Sequence, residues 1–430
     1  MTPPAPPLPE VTLPGGYRLA VLGEEDRAAI LDLDAWAFAA ELPPDAAALL
    51  PFPLEPGRSV GVWADGPGGP ASPRLAALHS SYELADFPVP GAEVRAAGLT
   101  WVGVHPQHRR RGLARAMVVA HLARTAARGE VLSALFAAEP AIYGRFGYGC
   151  ASWHTRLTLG RAPALRDVPG TADLEVVVES ADVGRHSDVV SRVHADVDRP
   201  GWVRRATSAL RDRAVIDVPS WRHGGESLRI AVVRRGEDPR GYALFRRKEH
   251  WDEHNSPAGT ASVRESATLD GAAARVLWGA LTDLDLMVSI ETGILAVDDH
   301  LLHLLVDLRT ARPRPTDNLW VRLVDVPAAL AGRRYACDVD VVVEVADDLL
   351  PANAGRWRLR AGRADASVAR TGDPADLSLD VAQLGAAYLG GTSLAALAGA
   401  GLVRERTPGA LAAAATAFGW PVAPVCNFIF

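Results

Sequence analysis

The chain contains one lysine, Lys248, among its 45 basic residues, only three cysteines, and no run of eighteen apolar residues. Each shortage excludes something. Without a long apolar run, no helix of this chain is expected to span a bilayer, and no membrane partner follows. Cys150, Cys337 and Cys426 lie far apart, are odd in number and match no metal-ligand spacing. Neither a disulfide framework nor a metal site is expected, and a reducing, cytoplasmic setting is. A basic surplus is missing too: 51 acidic residues against 45 basic ones give a formal net charge of −6. That argues against a nucleic-acid binder and is compatible with a small cationic substrate. The opening Thr2-Pro3-Pro4-Ala5-Pro6-Pro7-Leu8-Pro9 has neither the basic start nor the apolar core of a signal peptide, so it reads as a floppy tail.

What is present fits about three domains, since 430 residues with 48% hydrophobic content exceed one core. The first, residues 1–155, opens with a strand from Tyr17 to Leu22 and a helix from Glu24 to Phe38. A hairpin follows, Ser59 to Asp65 with Arg74 to Glu83, turning through Gly66-Pro67-Gly68-Gly69-Pro70. After it come a β-branched strand ending at Val104, a helix from Leu113 with Met117, Val118 and Leu122 on one face, and a strand from Val131 to Ala137. This order predicts a mixed, mostly antiparallel sheet carrying helices.

Residues 156–310 repeat the order. Strand Leu174 to Glu179, a helix from Asp182, hairpin Leu228 to Arg234 with Gly241 to Lys248, strand Ala261 to Ala267, helix Gly271 to Leu281 and strand Leu284 to Ile290 follow in turn. The third segment, 311–430, begins with the linker Arg312-Pro313-Arg314-Pro315-Thr316 and reads as α+β. Its strands are Asp338 to Val345 and Trp357 to Ala361, and its helix is Val381 to Leu389.

The most informative stretch is the junction His105-Pro106-Gln107-His108-Arg109-Arg110-Arg111-Gly112-Leu113-Ala114. A strand end, a glycine turn with three guanidinium groups and a helix start present backbone N–H donors and a positive dipole end, which suits a pyrophosphate. A Cβ at Gly112 would obstruct close approach. Ala114 keeps the first turn low, and Arg109, Arg110 and Arg111 add charge-assisted hydrogen bonds. In the repeat, the equivalent Thr268-Leu269-Asp270-Gly271 offers a carboxylate and no arginine, so the second copy is expected to bind no such anion.

Val-x-Val-x-Pro-x-x-Arg-Arg-Arg-Gly-Leu-x-Arg-Ala resembles motif A of the GCN5-related N-acetyltransferases. Ile142-Tyr143-Gly144-Arg145-Phe146-Gly147-Tyr148-Gly149 resembles the signature of the enhanced intracellular survival (Eis) acetyltransferases. The likeness extends through Gly241 to Arg246, through Leu319 to Leu330, and to Phe430. It implies two tandem GNAT-like domains and a sterol carrier protein-like domain that returns the chain terminus to the active site. Acetyl-CoA is then the co-substrate. Its pyrophosphate would lie on Arg109, Arg110, Arg111, Gly112, Leu113 and Ala114, and its pantetheine amides would pair with the backbone of Val102 and Val104. Gly103 implies a bulge or a close approach in that strand.

Acetyl transfer to an amine is helped by a proton acceptor for the nitrogen and a donor for the departing thiolate. By resemblance the donor is Tyr143 and the acceptor is the α-carboxylate of Phe430. Asp34, Trp36, Phe38 and Glu41, in and after the first helix, are candidate substrate contacts. Tyr148, His105, His108 and His121 read as packing or surface residues. Ala138 stands where some relatives carry a hydroxyl, which removes one hydrogen bond to the cofactor. The resemblance implies a homo-oligomer, a hexamer, acting on polycationic small molecules such as aminoglycosides or polyamines. A protein-lysine acetyltransferase and a non-catalytic acyl-CoA or lipid binder are the competing readings.

Overall fold

The computed structural model describes residues 6–430 apart from 51, 53, 67 and 68, so the first five residues and the tip of the glycine-proline turn lie outside the described residues. The first sheet takes β1 (Tyr17–Val21), β2 (Val60–Gly66), β3 (Gly69–Val89), β4 (Ala92–Val104) and β5 (Leu132–Phe136) side by side. Helices α1 (Arg27–Phe38) and α2 (Pro44–Leu49) stand between β1 and β2, and α3 (Leu113–Ala127) between β4 and β5. Neighbouring strands run antiparallel, except that α3 carries the chain back so that β4 and β5 run parallel.

The apolar face of α3 is buried as its spacing predicts. Leu113 and Met117 pack with Ile30 and Leu33 of α1, while Val118 and Leu122 pack beneath Tyr143 and Tyr148. The chain then turns at Gly129.

The parallel pairing of β4 with β5 is short. Ala96, Ala97 and Gly98 face Leu132, Ser133 and Ala134, after which the two strands diverge and leave a gap. On its other side β4 carries a bulge: pairing with β3 skips between Leu78 and Ser80, and Trp101 there has φ +53. The bulge thus falls two residues before Gly103. Gly103 serves close approach instead, since a Cβ on it would come within 2.8 Å of Ala37 in α1.

The linker near residue 311 does not mark where the first sheet ends. Strand Leu319–Leu323 inserts between β5 and β6 (Gly149–Cys150), antiparallel to both, and completes seven strands. No strand is expected there from the sequence alone, because a five-residue, mostly apolar run carries too little periodicity to reveal either a strand or its neighbours.

The second domain repeats the first. Its strands Glu175–Ser180, Arg229–Arg235, Asp238–Lys248, Gly259–Thr268 and Met287–Glu291 keep the same order, with only the last pair parallel around helix Gly271–Thr282. Thr158–Gly160 adds to its edge as Leu319–Leu323 does to the first. The third domain is a five-stranded sheet with four helices, and its core is continuous with the first. Val341, Trp357 and Leu384 share a cluster with Tyr82, Leu132 and Val321. Among the described residues no helix is long and apolar enough to cross a membrane.

Candidate active site

The loop between β4 and α3 is built as an anion cradle. Gly112 caps α3 with φ +80, and a Cβ added there would meet nothing within 4 Å, so the space above it is open. Arg110 is also left-handed, at φ +61. Among the described residues no acceptor takes the backbone N–H groups of residues 110–115, which therefore point at whatever fills the cradle. Arg109 and Arg110 are exposed and pair with no described carboxylate, whereas Arg111 donates to the Tyr17 hydroxyl at 2.8 Å. Leu113 is buried, so only its N–H faces outward, and Ala114 is half-buried. The degenerate copy is closed: Asp270 accepts from Ala273 N at 2.8 Å and pairs with Arg240 at 2.7 Å, filling the place of an anion.

These features fit the pyrophosphate and pantetheine of acetyl-CoA. The cradle would hold the first, and the free edge of β4 at Val102 and Val104 offers unpaired backbone to the second. Gly112→Val is expected to abolish acetyl-CoA binding in calorimetry while the circular dichroism spectrum stays native. Normal affinity would overturn the placement.

Below the cradle, the gap between β4 and β5 opens into a cavity of about 490 Å³. Tyr143 reaches it from α4 (Pro140–Tyr143), a single helical turn started by proline just after β5. Burial pushes the Tyr143 phenol above its ordinary pKa and the nearby Glu139 adds to this, so the hydroxyl is protonated at neutral pH. Phe430 enters from the opposite side. An oxygen of its α-carboxylate accepts from Thr100 Oγ1 at 3.2 Å, and its ring packs on Phe136 at 5.3 Å and Tyr82 at 6.4 Å. Gly98 makes room, because a Cβ there would come within 2.9 Å of that ring.

The candidate substrate residues divide. Asp34 and Phe38 line the cavity, and burial pushes the Asp34 carboxyl up to about 6. Trp36 and Glu41 do not line it: Trp36 turns outward and tilts against His105, and Glu41 is exposed. Asp34 and Phe38 share a helix face at i, i+4 while Trp36 lies on the other side, and Glu41 falls beyond the helix end at Phe38. Tyr148 is buried, with its hydroxyl 2.7 Å from Ser133 Oγ, which also meets His121.

Thr100, Tyr82, Phe136, Arg156, Arg213 and Asp317 border the cavity without having been singled out in the sequence. Thr100, Tyr82 and Phe136 lie inside strands already identified, but Arg156, Arg213 and Asp317 come from distant segments and carry no local signal. Among the described residues no group of three or more His, Cys, Asp or Glu is arranged to hold a metal.

Residues 18–151 and 201–323 each match an acetyltransferase (GNAT) domain family, and residues 326–427 match a sterol carrier protein domain family. The chain is 42% identical over 372 residues to an uncharacterized N-acetyltransferase of Streptomyces coelicolor, covering 85% of this chain and 88% of that protein. It is 35% identical over 364 residues to N-acetyltransferase Eis of Mycobacterium bovis, with 82% and 85% covered. The crystal structure of Eis1 from Mycobacterium abscessus matches with a TM-score of 0.80 at 32% identity, over 96% of this chain and 100% of that one. GNAT acetyltransferases use acetyl-CoA, in keeping with the cradle and gap of the first domain. With two GNAT domains, a sterol carrier protein domain and relatives of this kind along most of its length, the chain belongs to the Eis family of GCN5-related N-acetyltransferases.

Proposed function

We propose that this enzyme acetylates a primary amine of a small molecule by direct transfer, with Tyr143 as proton donor and the Phe430 α-carboxylate as proton acceptor. The observation that carries the reading is a single cavity, at the mouth of the β4–β5 gap, that both residues line. Acetyl-CoA supplies the activated acyl group there. As the C–N bond forms and the C–S bond breaks, the Phe430 carboxylate takes the proton from the amine. The Tyr143 hydroxyl gives one to the departing sulfur. A free terminal carboxylate titrates near ~3.5, so much of its contribution is electrostatic, holding the cationic amine until it loses its proton. A cavity of this size suits a small amine better than a lysine on a folded protein.

Asp34 supports a second assignment of the base. Raised to about 6, it remains mostly ionised at pH 7 and is the stronger proton acceptor of the two. A short tag fused after Phe430 and the variant Asp34→Asn separate the assignments when thiol release from acetyl-CoA is followed with a panel of amines. Loss of turnover on tagging is expected if Phe430 acts. If Asp34 acts, its protonated form is inactive, so kcat/KM falls as pH drops through about 6, and Asp34→Asn removes that limb. No thiol release with any amine would overturn the transferase reading. Aminoglycosides and polyamines are the acceptors implied by family resemblance, with Asp34 and Asp317 as their anionic partners in the cavity. A homohexamer belongs to the same proposal on the same ground.

A further inference from the structure

Past Tyr82 and Phe430 the acceptor cavity adjoins a second lobe of about 280 Å³, which we call the inner lobe, between the second domain and the final residues of the chain. Its lining is strongly cationic. Arg156 and Arg213 border both lobes, and Arg205 and Arg264 border the inner one. Against these four stand Glu265 and the Phe430 α-carboxylate among the described residues of its wall, and Glu265 is already engaged, pairing with Arg205 and accepting from the Tyr242 hydroxyl. Arg264 donates to the backbone carbonyls of Ile216 and Arg213. Arg156 and Arg213 pair with no carboxylate among the described residues.

Two further donors lie just behind the same wall. Arg205 is 8% exposed, yet its Nη1 is buried without a partner, and Asn427, 4% exposed, has a buried Nδ2 in the same condition. Buried donors without acceptors are uncommon in folded proteins, because each forfeits its hydration for nothing in return. Both atoms are sealed from the lobe as the side chains stand, so the groups that face it are Arg156 and Arg213, two guanidinium groups without a carboxylate side-chain partner among the described residues, in a space large enough for a small anionic group.

Resting on the amine-acetyltransferase reading, we propose that the acceptor carries a carboxylate or phosphate besides its amine, and that this inner lobe binds that anion while the amine lies near Asp34, Tyr143 and Phe430. This narrows the acceptors that family resemblance implies: an aminoglycoside or polyamine is held by Asp34 and Asp317 only where it stops short of the lobe, because a wholly cationic acceptor long enough to reach it would meet Arg156 and Arg213 and be repelled. An acid-bearing amine finds opposite charges at both ends.

The test uses the full-length enzyme and four matched series of graded length: ω-amino acids, aminoalkyl phosphates, ω-amino amides and α,ω-diamines. Thiol release gives kcat/KM, and calorimetry gives affinity independently of turnover. At one or more lengths, an acid-bearing amine is expected to exceed its amide at least about tenfold in kcat/KM, and Arg213→Gln is expected to collapse that ratio towards one. Which acid prevails identifies carboxylate or phosphate. Amides or diamines that equal or surpass the acids at every length overturn the proposal and leave amine acetylation standing. If no series releases thiol, the transferase reading fails and calorimetry decides the lobe alone. Acids that bind the wild type better than amides, and lose that advantage in Arg213→Gln, support it; acids that bind no better overturn it.

Discussion

Tyr143→Phe is expected to lower kcat by about 10²-fold or more while leaving acetyl-CoA affinity nearly unchanged, as removal of a general acid would. The substitution is unusually clean. The Tyr143 ring packs among Leu99, Val118, Leu122 and Phe146, and the phenylalanine ring can take the same place. Among the described residues nothing hydrogen-bonds the Tyr143 hydroxyl, so its loss strands no buried partner. Burial keeps the phenol protonated through neutral pH, which is the form a donor needs. Single-turnover measurement of thiol release with saturating acetyl-CoA checks the prediction. An unchanged rate would remove Tyr143 from the proton transfer.

Asp347→Ala is expected to cost about 3–5 kcal/mol, read as a fall in melting temperature on the order of 10 °C. Arg322, on the inserted strand, is fully buried, and its Nη2 lies 2.7 Å from each carboxylate oxygen of Asp347 in the third domain. Without Asp347 a guanidinium would remain in the core with no counter-charge. The same carboxylate also accepts from the Leu349 and Leu350 N–H groups and from Asn353 Nδ2. The damage should reach the active site. Arg322 Nε donates to the Phe146 carbonyl at 3.0 Å, bracing the turn that carries Tyr143, so kcat is expected to fall together with stability. A melting temperature within a degree or two of the wild type would show that the pair is dispensable.

Local features were readable from the chain and long-range ones were not. The spacing of Leu113, Met117, Val118 and Leu122 reveals a buried helix face because the period is written in consecutive residues. Gly112 and the arginines before it point to an anion for the same reason. The repeat is visible because element order survives where motifs do not, and the structure shows the second copy sealed by Asp270 and Arg240. By contrast, Trp36 and Glu41 sit near Asp34 in sequence yet miss the cavity: helical rotation turns Trp36 away, and Glu41 lies beyond the helix end, after the chain turns at Ala39. Arg156, Arg205 and Arg213 look alike among dozens of surface arginines. Only their convergence beneath Phe430 distinguishes them, and that convergence is a product of three domains meeting. The strand Leu319–Leu323 fell within a stretch noted only for its family likeness, and its place between β5 and β6 depends on pairing across about 170–190 residues of chain.

That placement has a bearing on biosynthesis. During translation from the amino end, β5 and β6 emerge long before the ribosome reaches codon 319, and until then they present bare edges to the crowded cell. The catalytic domain therefore cannot close its own sheet until that late strand has left the ribosome, and a nascent chain stalled in the second domain would be a substrate for chaperones. Expression of the amino-terminal lobe alone, cut before this late strand, would yield an aggregating fragment.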